Sequence, residues 1–410
     1  IDLCMRLGLT DQLVEMDSTH KRSFVVRNGK LMHVPEGFVL MAPHRVLPIL
    51  TSPILSWRGK LRILMDLVIP RRDGDADESL ASFVRRRLGR EALERLVQPL
   101  VGGLYAGDPN DLSLKATLPQ YPAMERDHGS LIRAAWHRTA PDQRRLFDED
   151  TGARFGTFVT LAEGMETLPR ALAATLPPQS IRLNSPARRI ARNASATGWT
   201  VELLNGAAFE ADAVIVTTEA HATARLFEAT DPSLALQLRG IPYASSVILN
   251  MAYRREEIQH PLDGLGIFAP LIENRSFLAT SFSSVKFPNR APAGTVMLRT
   301  FIGGPMQAEL CQLEDQALSD LVARDLGQLI GAKAPPLFQQ ISRHPRAMPQ
   351  YVLGHLDSVG AIRKRIERHP GLFLTGIAFD GVGIPDCIRG AQKTASDVLN
   401  SLFNSSVAAA

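Results

Sequence analysis

The stretch that most narrows what this chain can fold into is GLFLTGIAFDGVGIPDCIRGAQKTASDVL, residues 371–399. Leu372, Phe373 and Leu374 form a short, wholly apolar run, as expected of a strand covered on both faces. Gly376, Gly381 and Gly383 crowd the loop after it, and Pro385 stands where an early helical residue belongs. Ile388, Ala391, Ala395, Val398 and Leu402 then recur at helical spacing, which gives the following helix an inner face. A strand, a glycine loop and a helix in that order let backbone approach a ligand closely, with the helix N-terminal amides turned toward an anion such as pyrophosphate. Many such turns bind nothing, so the loop alone leaves both a nucleotide site and a plain βα connection open.

A second apolar run, Ala213, Val214, Ile215 and Val216, is followed by a helical pattern from Thr218, and it predicts a doubly wound α/β domain with a parallel sheet. Ahead of it, GMETLPRALAATL predicts a short helix. Short β segments are expected at 181–183, 187–191 and 199–204, with Asn205-Gly206 as a hairpin turn into 207–210. From 240 to about 344 alternation dominates, as in Val247, Leu249 and Met251, with another apolar strand near 296–301; a separate, mostly β layer is expected there. The fold class is therefore α/β with α+β character.

The region around 51–69 contains ILSWRGKLRILMDLVIP, which places Leu61, Leu64, Met65 and Val68 on one helical face beside Arg58, Lys60, Arg62, Arg71 and Arg72. That pattern suits an interfacial helix or a core helix with solvated arginines. A second helix is expected after Asp77, running through Leu80, Phe83, Val84, Leu88, Leu93, Leu96 and Val97, with Gly102 and Gly103 after it. Arg85, Arg86, Arg87 and Arg90 read as a solvated charge run with no assigned chemistry. Ile1, Leu3, Cys4 and Leu7, followed by Gly8, read as the second half of an amphipathic helix, so an upstream segment is expected.

With 410 residues, 45% hydrophobic and 21% charged, the chain can bury a large core and divide into two or three domains. A formal net charge of +4 with interspersed acids argues against a nucleic-acid partner. Cys4, Cys311 and Cys387 suggest neither a disulfide framework nor a zinc site. No apolar run is long enough to span a bilayer and no signal peptide is evident, so a cytoplasmic location is expected. HExxH, GxSxG and GxxxxGK[ST] patterns are absent, which sets aside metalloprotease, esterase-type hydrolase and P-loop readings.

Four segments in collinear order resemble the protoporphyrinogen oxidases: HKRSFVVRNGKLMHVPEG (20–37), LVQPLVGGLYAGDPNDLSLKATLPQ (96–120), FPNRAPAGTVMLRTFIGG (287–304) and the 371–399 stretch. The resemblance implies an FAD-binding domain of the amine-oxidase type, here 1–18, 151–240 and 346–405. It also implies an inserted β-rich substrate domain, 19–50 and 241–345, and a helical membrane-docking domain, 51–150. The family opens with a strand, a GxGxxG loop and a helix, so a missing first βαβ unit on the order of 75 residues is expected upstream, with FAD binding and folding impaired without it.

The implied reaction takes six electrons from protoporphyrinogen IX in three two-electron steps, with FAD as acceptor and molecular oxygen reoxidising it. Oxidation of coproporphyrinogen III to coproporphyrin III by the same chemistry is an alternative, and a non-catalytic tetrapyrrole-binding protein is another. The resemblance makes Arg22 the partner of a substrate propionate, which a bidentate guanidinium suits. Phe301 matches the aromatic that stacks on a pyrrole ring. Phe268 and Ser281 match positions on the opposite wall that are commonly aliphatic, so Ser281 is a departure, and Gly103 matches a cavity-lining glycine. For FAD, Gly376, Val382, Gly383 and Ile384 match the loop at the pyrophosphate and ring system, and Ala187 a backbone contact at the adenosine end. No acid–base residue and no metal are implied. A membrane surface is the expected partner besides the porphyrinogen and oxygen, and a homodimer is one option.

Overall fold

The computed structural model describes residues 1–137 and 158–409 other than Ser18, Lys21, His44 and Ala196. The chain divides into two compact units, Ile1–Ile181 with Ala244–Met348, and Arg182–Tyr243 with Pro349–Ala410. The expected domain limits at 150 and 151 fall outside the described residues.

In the first unit, the alternation after residue 240 becomes a seven-stranded sheet. In spatial order its strands are Phe338–Pro349, Tyr243–Arg254, Thr295–Gly303, Ala279–Phe282, Gly266–Phe268, Phe24–Arg27 and Lys30–His33. Gly266–Phe268 and Phe24–Arg27 run parallel, which adds an N-terminal hairpin to a sheet otherwise built from distant sequence. Consecutive side chains point to opposite faces, and the two faces have different fates. Leu249, Thr300, Thr280, Ile267 and Phe24 form one row across the sheet, with Met251, Leu298 and Phe282 in the next, and each is at most 3% exposed. The helix Asp315–Ile330 covers this face with Leu318, Val322, Leu326 and Leu329, a stripe at steps of three and four. Thr280 and Thr300 share a hydroxyl hydrogen bond of 3.1 Å, which satisfies two polar groups that burial would otherwise penalise.

The helical part of this unit departs from the sequence pattern. Instead of one helix over 80–97, Leu80–Arg87 ends before Gly89, whose φ of +92° breaks the run; Leu93–Val97 is a π-turn and leads into the helix Gln98–Tyr105. Gly102 and Gly103 lie inside this last helix, which ends at Ala106 in the left-handed region, so neither glycine is a cap. The arginine run is not a uniformly solvated face. Arg87 is 0% exposed; its Nε donates to Asp66 Oδ1 at 2.6 Å, its Nη2 donates to the carbonyls of Asp66 and Gly129, and its Nη1 to that of Ile69. Arg86 pairs with Glu78 and Glu125. A buried guanidinium needs such partners because desolvation alone costs several kcal/mol per ion. Arg85 and Arg90 do stay at the surface.

Around 51–69 the chain forms the helix Trp57–Leu64 and a 3-10 turn, Met65–Leu67. Ile63 is buried, whereas Trp57, Leu61, Met65 and Val68 are 66%, 52%, 48% and 75% exposed, so the core takes one edge of the helix and leaves its apolar face in solvent. Among the described residues no helix is long and apolar enough to cross a membrane. A small separate core joins Cys4 and Leu9 to Leu161 and Leu168, where Leu13–Glu15 pairs with Val159–Leu161.

In the second unit both apolar runs are strands, and they pair with each other: Val214–Val216 lies parallel to Leu372–Leu374. Helices Ala220–Phe227 and Pro232–Arg239 contribute Ala224, Phe227, Leu234 and Leu238 to a core that also holds Trp199. Ala187–Arg192, Trp199–Leu203 and Ala208–Ala211 form an antiparallel sheet with its turn at Asn205-Gly206. The 181–183 segment is not a strand; Leu183 is 80% exposed, so no burial offsets the entropy of ordering it.

Candidate functional site

The other face of the seven-stranded sheet, covered by the helical cluster at Val25 and half-open from Phe268 to Phe301, carries the first group of residues singled out by sequence. Ile248, Phe301, Ala279 and Phe268 pair in one row, continued through the parallel contact by Val25. Phe301 and Phe268 therefore stand on the same face with only the Ala279 methyl between them, two strand spacings or roughly 10 Å apart. Both rings are half-buried, while Ala279 is nearly closed off. Phe268 packs against the helical cluster that contains Leu96 and Val101. The row is thus an aromatic floor anchored at one end.

Gly103 joins this wall from the helix Gln98–Tyr105. A Cβ there would lie 2.9 Å from Phe268 Cε1 and 3.4 Å from the Ala279 methyl, so the absence of a side chain is what lets the helix approach the ring. Ser281 sits one row further along the same face, paired with Gly266 and Arg299. The structure brings Gly103, Phe268, Ser281 and Phe301 to one face. Arg22 is at the sheet's margin: it is exposed, and its carbonyl accepts from the Leu265 amide at 2.9 Å. Its charge acts on His33, whose row belongs to the covered face, and together with burial it holds that imidazole below its ordinary range, burial being the larger cause.

Sequence reasoning passed over Arg299 and Asn250, which share the Ser281 row; Arg299 Nε donates to Asn250 Oδ1 at 3.2 Å. The signal was present, since Arg299 is two residues before Phe301 in an alternating strand.

The second group lies in the second unit. Gly376 follows the strand Leu372–Leu374 with φ of +132°, a conformation open to glycine, and a Cβ there would meet nothing closer than the Thr217 carbonyl at 3.5 Å. Space is therefore available over the backbone. Val382 and Gly383 lead into the helix Ile384–Ala409, whose first residue is half-exposed. The Asp386 carboxylate turns back to accept from the Gly383 amide at 3.3 Å and packs where a Cβ on Gly381 would go. Tyr351 fixes the loop between these points: its hydroxyl donates to the Ile377 carbonyl and accepts from the Gly381 amide. Its ring stacks on His355 at 4.1 Å, and burial pushes the Tyr351 phenol up and the His355 imidazole down to about 4. Tyr351 left no local signal, because its partners lie some thirty residues on. Ala187 stands exposed at the bulged start of Ala187–Arg192, on a different sheet from the loop.

A strand, an open glycine and helix-terminal amides fit a dinucleotide cofactor such as FAD. Gly376, Val382, Gly383 and Ile384 are the residues that would hold it.

Comparison with known proteins agrees with this geometry. The profile of the flavin containing amine oxidoreductases matches residues 1–399. A coproporphyrinogen III oxidase of Bacillus subtilis (strain 168) is 30% identical over 97% of this chain and 83% of its own length. Protoporphyrinogen oxidase 1, chloroplastic, of Arabidopsis thaliana is 30% identical over 96% of this chain and 74% of its own. A solved structure provisionally named protoporphyrinogen oxidase, from Exiguobacterium sp. 255-15, superposes with a TM-score of 0.82 at 27% identity, covering 97% of this chain and 84% of that one. With the profile matched over residues 1–399, the chain belongs to the flavin-containing amine oxidoreductases.

Proposed function

We propose that this chain is an FAD-dependent oxidase that converts a porphyrinogen to a porphyrin in haem biosynthesis. The observation that carries the reading is the open row Phe301, Ala279, Phe268 with Gly103 closing it, a flat apolar wall suited to a tetrapyrrole. Porphyrinogen oxidases recur among the relatives, and both protoporphyrinogen IX and coproporphyrinogen III are substrates that this wall could take.

When bound, FAD supplies the two-electron acceptor, and molecular oxygen is the proposed terminal oxidant. The chain's own residues hold and orient. Phe301 and Phe268 fix the plane of the tetrapyrrole, Gly103 leaves room for it beside the helix, and Arg22 is the proposed partner of a propionate. Val382, Gly383 and Ile384, with Gly376 behind them, hold the cofactor; Ala187 is the proposed contact at its adenosine end. No general acid or base is assigned, since positioning a ring carbon toward the acceptor is the protein's share.

The proposed domain plan assigns 1–18, 151–240 and 346–405 to the cofactor, 19–50 and 241–345 to the substrate, and 51–150 to docking. The compact unit Arg182–Tyr243 with Pro349–Ala410 supports the cofactor assignment of its own segments, whereas 1–18 and 158–181 cluster with the other unit and the helical core of 51–150 also takes in Val25, Phe38 and Ile49. Peripheral attachment to a membrane is the proposed location, supported by the exposed Trp57, Leu61, Met65 and Val68 beside Arg58 and Lys60.

The test is porphyrin fluorescence growing from protoporphyrinogen IX and from coproporphyrinogen III in parallel, with flavin-loaded protein and oxygen. Growth above the uncatalysed rate with either substrate is expected; none with both, in folded and flavin-loaded protein, moves the reading to a non-catalytic tetrapyrrole-binding protein.

A further inference from the structure

One row beyond the aromatic wall, the same sheet face changes chemistry. Asn250, Arg299, Ser281 and Gly266 pair directly across four strands. They stand about 6.7 Å from the Phe301 row, the rise of two residues along a strand. Gly266 contributes no side chain and is buried, and Ser281 is small where a longer aliphatic residue would shield Arg299 from that side. Arg299 is exposed. Its Nε is engaged by Asn250 Oδ1 at 3.2 Å, and among the described residues its two terminal nitrogens have no partner and no carboxylate lies within ion-pair distance of it.

A guanidinium steered through Nε, with both terminal nitrogens free and a hydroxyl beside it, is arranged to grip one carboxylate with two hydrogen bonds. It offers nothing to a vinyl group, which would do better against an aliphatic side chain. Resting on the porphyrinogen reading above, we propose that Arg299, oriented by Asn250 and uncovered by Ser281, is a carboxylate subsite that selects porphyrinogens carrying propionates where protoporphyrinogen IX carries vinyl groups. The preferred substrate is then the tetracarboxylate, coproporphyrinogen III. Ser281 is part of that device: the residue that breaks the aliphatic pattern is the one that opens the route to the charge.

The experiment compares flavin-loaded wild type with Arg299→Ala, Arg299→Lys and Ser281→Leu on both substrates. It is paired with fluorescence titration of coproporphyrin III and protoporphyrin IX as binding probes. Wild type is expected to favour coproporphyrinogen III. Arg299→Ala should lower kcat/KM for that substrate by roughly 10- to 100-fold, the factor a charge-assisted hydrogen-bond pair carries, chiefly through KM. It should change the value for protoporphyrinogen IX by less than about 3-fold, since no contact to a vinyl group is lost. Arg299→Lys should restore part of the loss, as one point charge replaces two directed bonds, and Ser281→Leu should narrow the preference from the other side. Equal losses on both substrates and both probes, or a wild type that prefers protoporphyrinogen IX, overturn the subsite while leaving porphyrinogen oxidation standing. A wild type inactive on both overturns the functional reading itself, and this one with it.

Discussion

The two faces of the seven-stranded sheet are made from the same strands, yet they behave as different materials. On one, Leu249, Leu298, Ile267 and Phe282 are sealed under the helix Asp315–Ile330 and even the polar members, Thr280 and Thr300, satisfy each other. On the other, Phe301, Phe268, Ser281 and Arg299 alternate with those same residues and remain available. The difference teaches that the period of two divides labour within each strand: one face holds the sheet together so that the other can afford incomplete packing.

Truncation on each face breaks the comparison most sharply. Leu298→Ala should destabilise the protein by about 2–5 kcal/mol, because a fully buried leucine loses both transfer energy and its cavity; chemical denaturation measures it. Phe301→Ala, three residues on, should cost clearly less stability but remove about 1–2 kcal/mol of substrate binding, roughly a tenfold rise in KM. Equal stability losses at the two positions would mean that the second face is core as well.

Gly103→Ala sharpens the picture at the open wall. The added methyl crowds Phe268 and should cost about 1 kcal/mol by overpacking, read as a raised KM at nearly unchanged kcat. An unaltered KM would show that the ring moves aside freely and that the glycine does not shape the wall.

The smallest effect is electrostatic and belongs to the covered side, where His33 and His260 flank Phe24. Burial lowers both imidazoles, with Arg22 adding repulsion at His33. The unfolded chain therefore takes up protons first on acidification. Stability present above an unfolded imidazole value of about 6.5 is lost as pH falls toward the lower folded values. The denaturation midpoint should be lower at pH 5.5 than at pH 7.5, and His33→Gln should flatten part of that slope. A slope untouched by the substitution would remove His33 from the account.

Much of this was legible in the sequence. The apolar runs at 214–216 and 372–374 announced strands, and they do pair in parallel, although the pair is not covered on both faces: Ile215 is 44% exposed. Alternation announced the sheet, and the glycine-rich stretch announced the loop between the strand Leu372–Leu374 and the helix Ile384–Ala409. Arg299 was legible too, since it stands two residues before Phe301 in an alternating strand and so shares its face. The rest depends on distance along the chain. Gly102 and Gly103 resemble a helix end in sequence, yet the helix continues through them, because its own packing outweighs a propensity cost of about 1 kcal/mol per glycine. Arg87 looks like its neighbours Arg85 and Arg86, and only the arrival of Asp66 and the Gly129 carbonyl makes it a buried, fully bonded group. Tyr351 gains its role from Ile377 and Gly381. Local pattern determined the elements, their faces and the glycine-rich βα loop, since periodicity and turn chemistry act over a few residues. Tertiary structure alone decided which face stayed open, which charge was buried and which side chain fastens the loop, because those outcomes rest on partners that no local pattern encodes.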